Sequence, residues 1–283
     1  MEYTTLTNGV KMPLEGFGVF QVESGDVCEK AVTDALEAGY RLIDTASAYF
    51  NEEAVGKAIK ASGIPREELF ITTKIWIQDA GYENAKKAFN VSLEKLGLDY
   101  LDLYLIHQPM NDYYGSWRAM EELYEEGKIR AIGVSNFYPE RLADLCTNAR
   151  IKPMVNQVEL HPFFQQPEAL KNMQEFGVQP EAWGPLAEGK HGIFTNEMLT
   201  EIAKKYGKTI AQVVLRWNTQ RGVVIIPKSI NKNRIEENFN IWDFSLSEED
   251  MTAINTLDLG HSEIIDHFSA ETAKMLNSLK IHD

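Results

Sequence analysis

Strand-like segments, several of them short apolar runs without alternation, recur along this chain, and nearly all are followed by a helix-like stretch. Runs at 41–44, 70–74, 103–107, 131–135, 154–158, 178–183 and 223–227, with an earlier one near Phe17, give eight strand candidates. Missing alternation marks strands buried on both faces, as in parallel sheets covered by helices. Segments 27–38, 52–61 and 82–96 read as helices, the first and third stopped by Gly39 and Gly97. Asn8-Gly9 between two short extended runs predicts a type I′ hairpin. After the last strand, 229–240 reads as a helix, and Ser247-Glu248-Glu249-Asp250 opens another that runs to Leu257. The polar and aromatic stretch 260–283 reads as a tail packed over one end of the fold.

Eight strand-plus-helix units predict an α/β fold of the closed (β/α)8 TIM-barrel kind, with an N-terminal β-hairpin and an extra C-terminal helix and tail. Residues 1–283 are expected to form one such domain. The competing doubly wound sheet wants G-x-G-x-x-G after its first strand. Gly16-Phe17-Gly18-Val19-Phe20-Gln21 lacks the third glycine and no acidic ribose ligand is in place, so the barrel is favoured.

A net charge of −14 argues against nucleic acid and anionic membrane as partners, though a local basic pocket could still take an anionic small molecule. Cys28 and Cys146 lie on separate predicted helices without a C-x-x-C partner and read as reduced, partly buried thiols. No signal-like segment or bilayer-length apolar stretch is seen, so a cytoplasmic enzyme is expected.

The chemistry gathers at strand ends. Asp44, Lys74 and His107 each close a predicted strand, about one strand plus one helix apart, and Tyr49 follows Asp44 by five residues. On parallel neighbours the three converge on one rim with Tyr49 leaning over them, a constellation suited to donating a proton. No second histidine or nearby carboxylate completes metal-ligand spacing, so no metal is expected.

These segments resemble the signatures of the aldo-keto reductases. The first is Gly39-Tyr40-Arg41-Leu42-Ile43-Asp44-Thr45-Ala46-Ser47-Ala48-Tyr49, and the second runs from Asp99 through His107-Gln108-Pro109. The third is Ile226-Pro227-Lys228-Ser229 with Arg234-Ile235-Glu236-Glu237-Asn238, and Gly133 to Phe137 and Asn156 to Glu159 match as well. The likeness covers essentially the whole chain in the right order. Glu181-Ala182-Trp183-Gly184-Pro185-Leu186 is most similar to small bacterial members that include the 2,5-diketo-D-gluconate reductases.

The resemblance implies reduction of an aldehyde or ketone by hydride from NADPH, on small or sugar-like carbonyls and keto-sugar acids. It implies Tyr49 as general acid, Lys74 to make that phenol a readier donor, Asp44 to hold Lys74 charged, and His107 to orient the substrate oxygen. Ser135, Asn136 and Gln157 are expected at the nicotinamide carboxamide, and Trp183 under its ring, with Gly184 and Leu186 beside it. Lys228, Ser229 and Arg234 suit a 2′-phosphate, with Glu237 and Asn238 facing the adenine.

Val19, Phe20, Trp76, Tyr113 and Tyr114 follow the first, third and fourth strands and are the candidate substrate walls. His161, His191, His261 and His267 carry no motif and read as surface residues. A monomer is expected from the resemblance. Two rivals stand beside this reading: an NADP-binding regulatory subunit with slow turnover, and a barrel lyase using Lys74 as a Schiff-base nucleophile. The Asp44 partner speaks against the second, since an ion pair keeps the amine protonated.

Overall fold

The computed structural model describes residues 2–262 and 264–283. Eight parallel strands lie in chain order: β3 (Gly16–Gly18), β4 (Leu42–Asp44), β5 (Phe70–Ile75), β6 (Leu101–Ile106), β7 (Ile129–Ser135), β8 (Val155–Glu159), β9 (Gln179–Trp183) and β10 (Val224–Ile225). The sheet closes on itself where the Ile225 amide donates to Leu14 and Gly18 donates to Pro227, with a parallel bridge between Glu15 and Ile225. A Cβ on Gly18 would stand 2.8 Å from the Ile226 carbonyl oxygen. The Gly16-Phe17-Gly18 run thus serves close strand approach at the barrel seam, a use of glycine unrelated to nucleotide phosphates.

Apart from β9, where Gln179, Pro180 and Trp183 are partly exposed, the strands are fully or nearly fully buried because helices cover them outside: α1 (Asp26–Ala38), α2 (Glu52–Ser62), α3 (Tyr82–Leu96), α4 (Tyr113–Glu125), α5 (Pro139–Asn148), α6 (Pro167–Phe176), α7 (Glu197–Tyr206), α8 (Ile210–Gln220) and α9 (Lys232–Phe239). Gly39, Gly97, Gly177 and Gly207 end α1, α3, α6 and α7 in the left-handed conformation. Two more helices follow, α10 (Glu248–Asn255), capped by Ser247, and α11 (Ala270–Ser278) in the tail. Both cysteines are buried and free, and burial pushes the Cys28 thiol up to about 12 and Cys146 to about 11. No helix among the described residues is long and apolar enough to cross a membrane.

Several details differ from the sequence expectation, and two of them have a local cause. The helix after β10 begins at Lys232 rather than 229, because Asn231 caps it by accepting from the Arg234 amide. The hairpin of β1 (Tyr3–Thr5) and β2 (Lys11–Pro13) is not of type I′: Gly9 donates to the Leu6 carbonyl and takes φ 85°, while Asn8 keeps a negative φ. That is a longer, three-residue loop with the glycine at a bulge, the usual alternative to the two-residue turn. The helix after β6 begins at Tyr113, with consequences for the site.

Candidate active site

Side-chain alternation fixes which strand residues face the barrel interior. In β5, Thr73 points outward and donates to Glu52 of α2 at 2.7 Å, so its neighbour Lys74 points inward. The Lys74 ammonium is fully buried and donates to Asp44 Oδ1 at 2.6 Å, to the Thr45 carbonyl at 3.0 Å and to the Tyr49 hydroxyl at 3.3 Å. Three acceptors satisfy its three protons, the condition for keeping a charge in a dry interior.

Tyr49 sits on a 3-10 turn, Ser47–Tyr49, at the end of β4. Ser47 Oγ ties the turn to the Lys74 carbonyl at 2.9 Å, and Asn51 anchors the following residues to the Val19 carbonyl at 3.0 Å. Edge contact with His107 (ring centroids 5.5 Å apart) and a tilted contact with Phe20 at 5.0 Å hold the phenol ring. His107 is braced on its other side by Trp76 at 5.1 Å. The structure therefore brings Asp44, Lys74, Tyr49 and His107 together at the carboxyl ends of the strands.

Their electrostatics follow from burial and one cation. Burial pushes the Tyr49 phenol up and the Lys74 charge opposes that rise. Burial likewise pushes the Asp44 carboxyl up, against the pull of Lys74 and Gln157. Burial alone would lower Lys74, but Asp44 at 2.6 Å overrides it and leaves the ammonium raised, so the pair is ionic. Burial, then Lys74, hold His107 well below the usual imidazole range. A neutral imidazole offers an N–H as a hydrogen-bond donor without adding charge.

Asp44, Tyr49 and His107 line a cavity of about 1140 Å³, and Lys74 lies fully buried behind them. It is also lined by Ser135, Asn136, Gln157, Trp183, Gly184 and Leu186 from the ends of β7 to β9, and by Lys228, Ser229, Arg234, Glu237 and Asn238 from the segment after β10. Ser135 Oγ donates to the Gln157 carbonyl at 2.9 Å. Asn136 is more committed than its type suggests: its Nδ2 donates to the His107 carbonyl at 3.1 Å and to Ser135 Oγ at 3.2 Å. Neither the Lys228 ammonium nor the Arg234 guanidinium forms an ion pair with a described residue, although the chain is strongly acidic.

Phe20 and Trp76 line the cavity as expected; Val19, Tyr113 and Tyr114 do not. Val19 is fully buried in the core. Asp112 accepts from the Gly115 amide and starts α4 at Tyr113, which turns both tyrosines away from the strand ends. Tyr113 packs edge-on against Phe137, and the Tyr114 hydroxyl donates to Asp144 of α5. Two histidines read as surface residues are otherwise placed. His161 is buried with Nε2 2.9 Å from Glu159, and His267 is half-buried on the cavity wall near Trp183.

The tail supplies lining that motif reading missed: His267, Leu276, Leu279, Lys280 and Ile281 all reach the cavity. It is held there by Trp76 Nε1, which donates to the Leu279 carbonyl at 2.8 Å, and by His282 at 2.8 Å from Asp79. Its scattered aliphatic residues, among them Leu276, Leu279 and Ile281, were the signal available.

Residues 16–259 match the family model described as "Aldo/keto reductase family". The chain is 56% identical over 253 residues to a glyoxal reductase of Bacillus subtilis, covering 89% of this chain and 91% of that one. It is 46% identical to the methylglyoxal reductase DkgA of Escherichia coli, covering 90% and 93%. Among solved structures, a Bombyx mori aldo-keto reductase in complex with NADP matches with TM-score 0.88 and 37% identity, covering 94% and 95%. An aldo-keto reductase from a deep-sea metagenome library matches with TM-score 0.91 and 47% identity, covering 94% and 99%. A barrel whose strand ends carry these side chains, and whose sequence follows such relatives nearly end to end, belongs to the aldo/keto reductase family.

Proposed function

We propose that this protein reduces small aldehydes and 2-oxo aldehydes to alcohols with hydride from NADPH, with Tyr49 as the proton donor. The observation that carries the reading is the chain Asp44–Lys74–Tyr49, with contacts of 2.6 and 3.3 Å, in which Lys74 is buried and the Tyr49 phenol lines the cavity. The glyoxal and methylglyoxal reductases among the relatives support a small dicarbonyl as substrate. Lys280 on the cavity wall is a cation that suits the carboxylate of a keto-sugar acid, which keeps that substrate class in the panel below.

The residues present fit the cofactor. Two free cations, Lys228 and Arg234, line the cavity from the segment after β10, for a phosphate-bearing adenosine. From the ends of β7 to β9, the face of Trp183 and the polar side chains of Asn136 and Gln157 suit a flat ring bearing an amide. NADPH, when bound, supplies the hydride.

Reduction leaves negative charge on the carbonyl oxygen, and the protein's part is to meet it. The neutral His107 donates a hydrogen bond that fixes the direction of that oxygen. Tyr49, protonated at neutral pH, gives its proton to the forming alkoxide and becomes a phenolate. Lys74 at 3.3 Å stabilises that phenolate, and Asp44 keeps Lys74 charged and aimed. The buried ring of Trp76 on the cavity wall makes the surroundings of these groups less polar, which strengthens each of these interactions.

The test follows absorbance loss of NADPH with glyoxal, methylglyoxal, simple aldehydes, α-keto acids and keto-sugar acids. Steady turnover of small dicarbonyls is expected. A single NADPH oxidised per protein and then nothing, on every carbonyl, would overturn the enzymatic reading.

A further inference from the structure

Glu181 has no place in the mechanism above, yet it lies directly behind it. It is fully buried in β9, opposite Gln157 of β8 in register, and both side chains face the barrel interior. Gln157 Nε2 donates at once to Asp44 Oδ2 at 2.9 Å and to Glu181 Oε2 at 3.1 Å. Two carboxyl groups on one nitrogen settle the amide's orientation, since the reversed amide would set its oxygen against both. The Gln157 side-chain oxygen accepts no hydrogen bond from a described residue, and it belongs to a residue that lines the cavity.

Charge decides the state of Glu181. The groups facing it are Asp44 from β4, Lys74 from β5, Tyr49 from the turn after β4 and the amide of Gln157. On its other side stands the apolar Val224 of β10. Asp44 already neutralises Lys74, so a second carboxylate would leave one net negative charge in a dry core. Its other oxygen, Oε1, is buried without a partner, a place that tolerates a neutral acid far better than an anion.

We propose that Glu181 is a positioning residue of the reducing site. As a neutral acid it holds the Gln157 amide with its oxygen towards the cofactor, and when it ionises the added charge opposes phenolate formation on Tyr49 and slows reduction. The inference rests on the proposed reductase activity. Burial, then repulsion from Asp44, push the Glu181 carboxyl up to about 8, within the range where enzymes are assayed. Ionised Glu181 raises the Tyr49 phenol further, which is the direction that makes it a poorer acid.

The experiment compares kcat for reduction of methylglyoxal by NADPH in wild type and Glu181→Gln across about pH 6 to 10. A single ionisation near 8 predicts a fall of up to roughly tenfold between about pH 7 and 9 in wild type. Glutamine keeps the acceptor for Gln157 but cannot ionise, so that limb should be absent from the variant. Superimposable profiles in two active proteins would overturn the proposal.

Infrared titration supplies a reading independent of turnover. The carbonyl stretch of a protonated carboxylic acid should appear in the wild-type-minus-variant spectrum and vanish through about pH 8. Glu15 and Glu52, acids outside this cluster that burial also pushes up, cancel in that difference. Absence of the band overturns the proposal. A wild type that reduces no carbonyl overturns the functional reading, and the band still decides the protonation of Glu181. Should the variant not fold, a wild-type spectrum without any acid band titrating between about pH 7 and 9 overturns it as well.

Discussion

The Trp183 indole Nε1 donates to the side-chain oxygen of Asn136 at 2.8 Å, across the ends of β9 and β7. Asn136 in turn holds the His107 carbonyl and sits at φ 62°, a left-handed conformation that asparagine accepts with little cost. Trp183 is therefore more than a flat surface: it pins the residue that pins the strand end of His107. Trp183→Phe keeps an aromatic face and removes the donor. A lost neutral hydrogen bond of about 0.5–1.5 kcal/mol corresponds to a roughly 2- to 10-fold weaker cofactor affinity. NADPH and NADH should be affected alike, because the contact lies at the nicotinamide end. Fluorescence titration with both cofactors checks this, and a loss confined to NADPH would contradict it.

Tyr49→Phe should abolish nearly all carbonyl reduction while NADPH affinity stays close to wild type. The ring keeps its contacts with Phe20 and His107, while the hydroxyl is lost both as proton donor and as one of the three acceptors of Lys74. General acids contribute about 10²–10⁴-fold, so the variant's kcat should fall by at least the lower figure. Retention of more than about a tenth of wild-type kcat would show that another group donates the proton.

His107→Ala should lower kcat/KM for every carbonyl in a panel, small or bulky, because all present the same oxygen to it. A second expectation comes from its depressed imidazole. His107 is neutral over the ordinary assay range, so wild-type kcat should show no limb from its titration between about pH 6 and 8. An acidic limb in that range that disappears with His107→Ala would reverse the assignment of the neutral form.

Lys74→Met should be costly to stability as well as to turnover. It strands the Asp44 carboxyl in the core, and breaking a buried pair in this way costs about 3–5 kcal/mol. The sign with pH can be worked out. Without the ammonium, burial raises the folded-state Asp44 carboxyl above its unfolded value, so its favourable contribution is present below the unfolded value and is lost as pH rises through the folded one. The variant should therefore lose more ground against wild type at neutral than at acidic pH. Urea denaturation at both checks it, and an unchanged gap would mean that Asp44 finds another partner.

The barrel was legible because its strands are short and apolar on both faces, a pattern that survives without any alignment. The convergence of Asp44, Lys74 and His107 was legible because parallel strands in chain order bring equivalent ends to one rim. What escaped depended on contacts distant in sequence. Tyr113 and Tyr114 follow β6 closely enough to be wall residues, but a single cap at Asp112 rotates them outward. Glu181 reads as one polar residue in a strand until its register partner Gln157 is seen to bridge it to Asp44. His267 and the rest of the tail carry no periodic pattern, and only the anchors at Trp76 and Asp79 place them over the cavity.

Arg234 separates cofactor recognition from chemistry. Arg234 lies on the first turn of α9 and lines the cavity, and no carboxylate among the described residues pairs with it. Guanidinium meets phosphate oxygens in a fork, and the 2′-phosphate is what NADPH has and NADH lacks. Arg234→Ala should therefore weaken NADPH binding and leave NADH almost unchanged. A charge-assisted contact of about 1.5–3 kcal/mol corresponds to a roughly 10- to 150-fold loss. Once NADPH is bound, the hydride step in single-turnover experiments should change far less. The helix itself should survive, since its cap uses the backbone amide of residue 234 rather than its side chain. Titration by quenching of tryptophan fluorescence, with Trp183 on the cavity wall as reporter, measures both affinities in one preparation. Equal weakening of NADPH and NADH would mean that Arg234 supports the fold of α9, and the phosphate would then have to be met by Lys228 and Ser229.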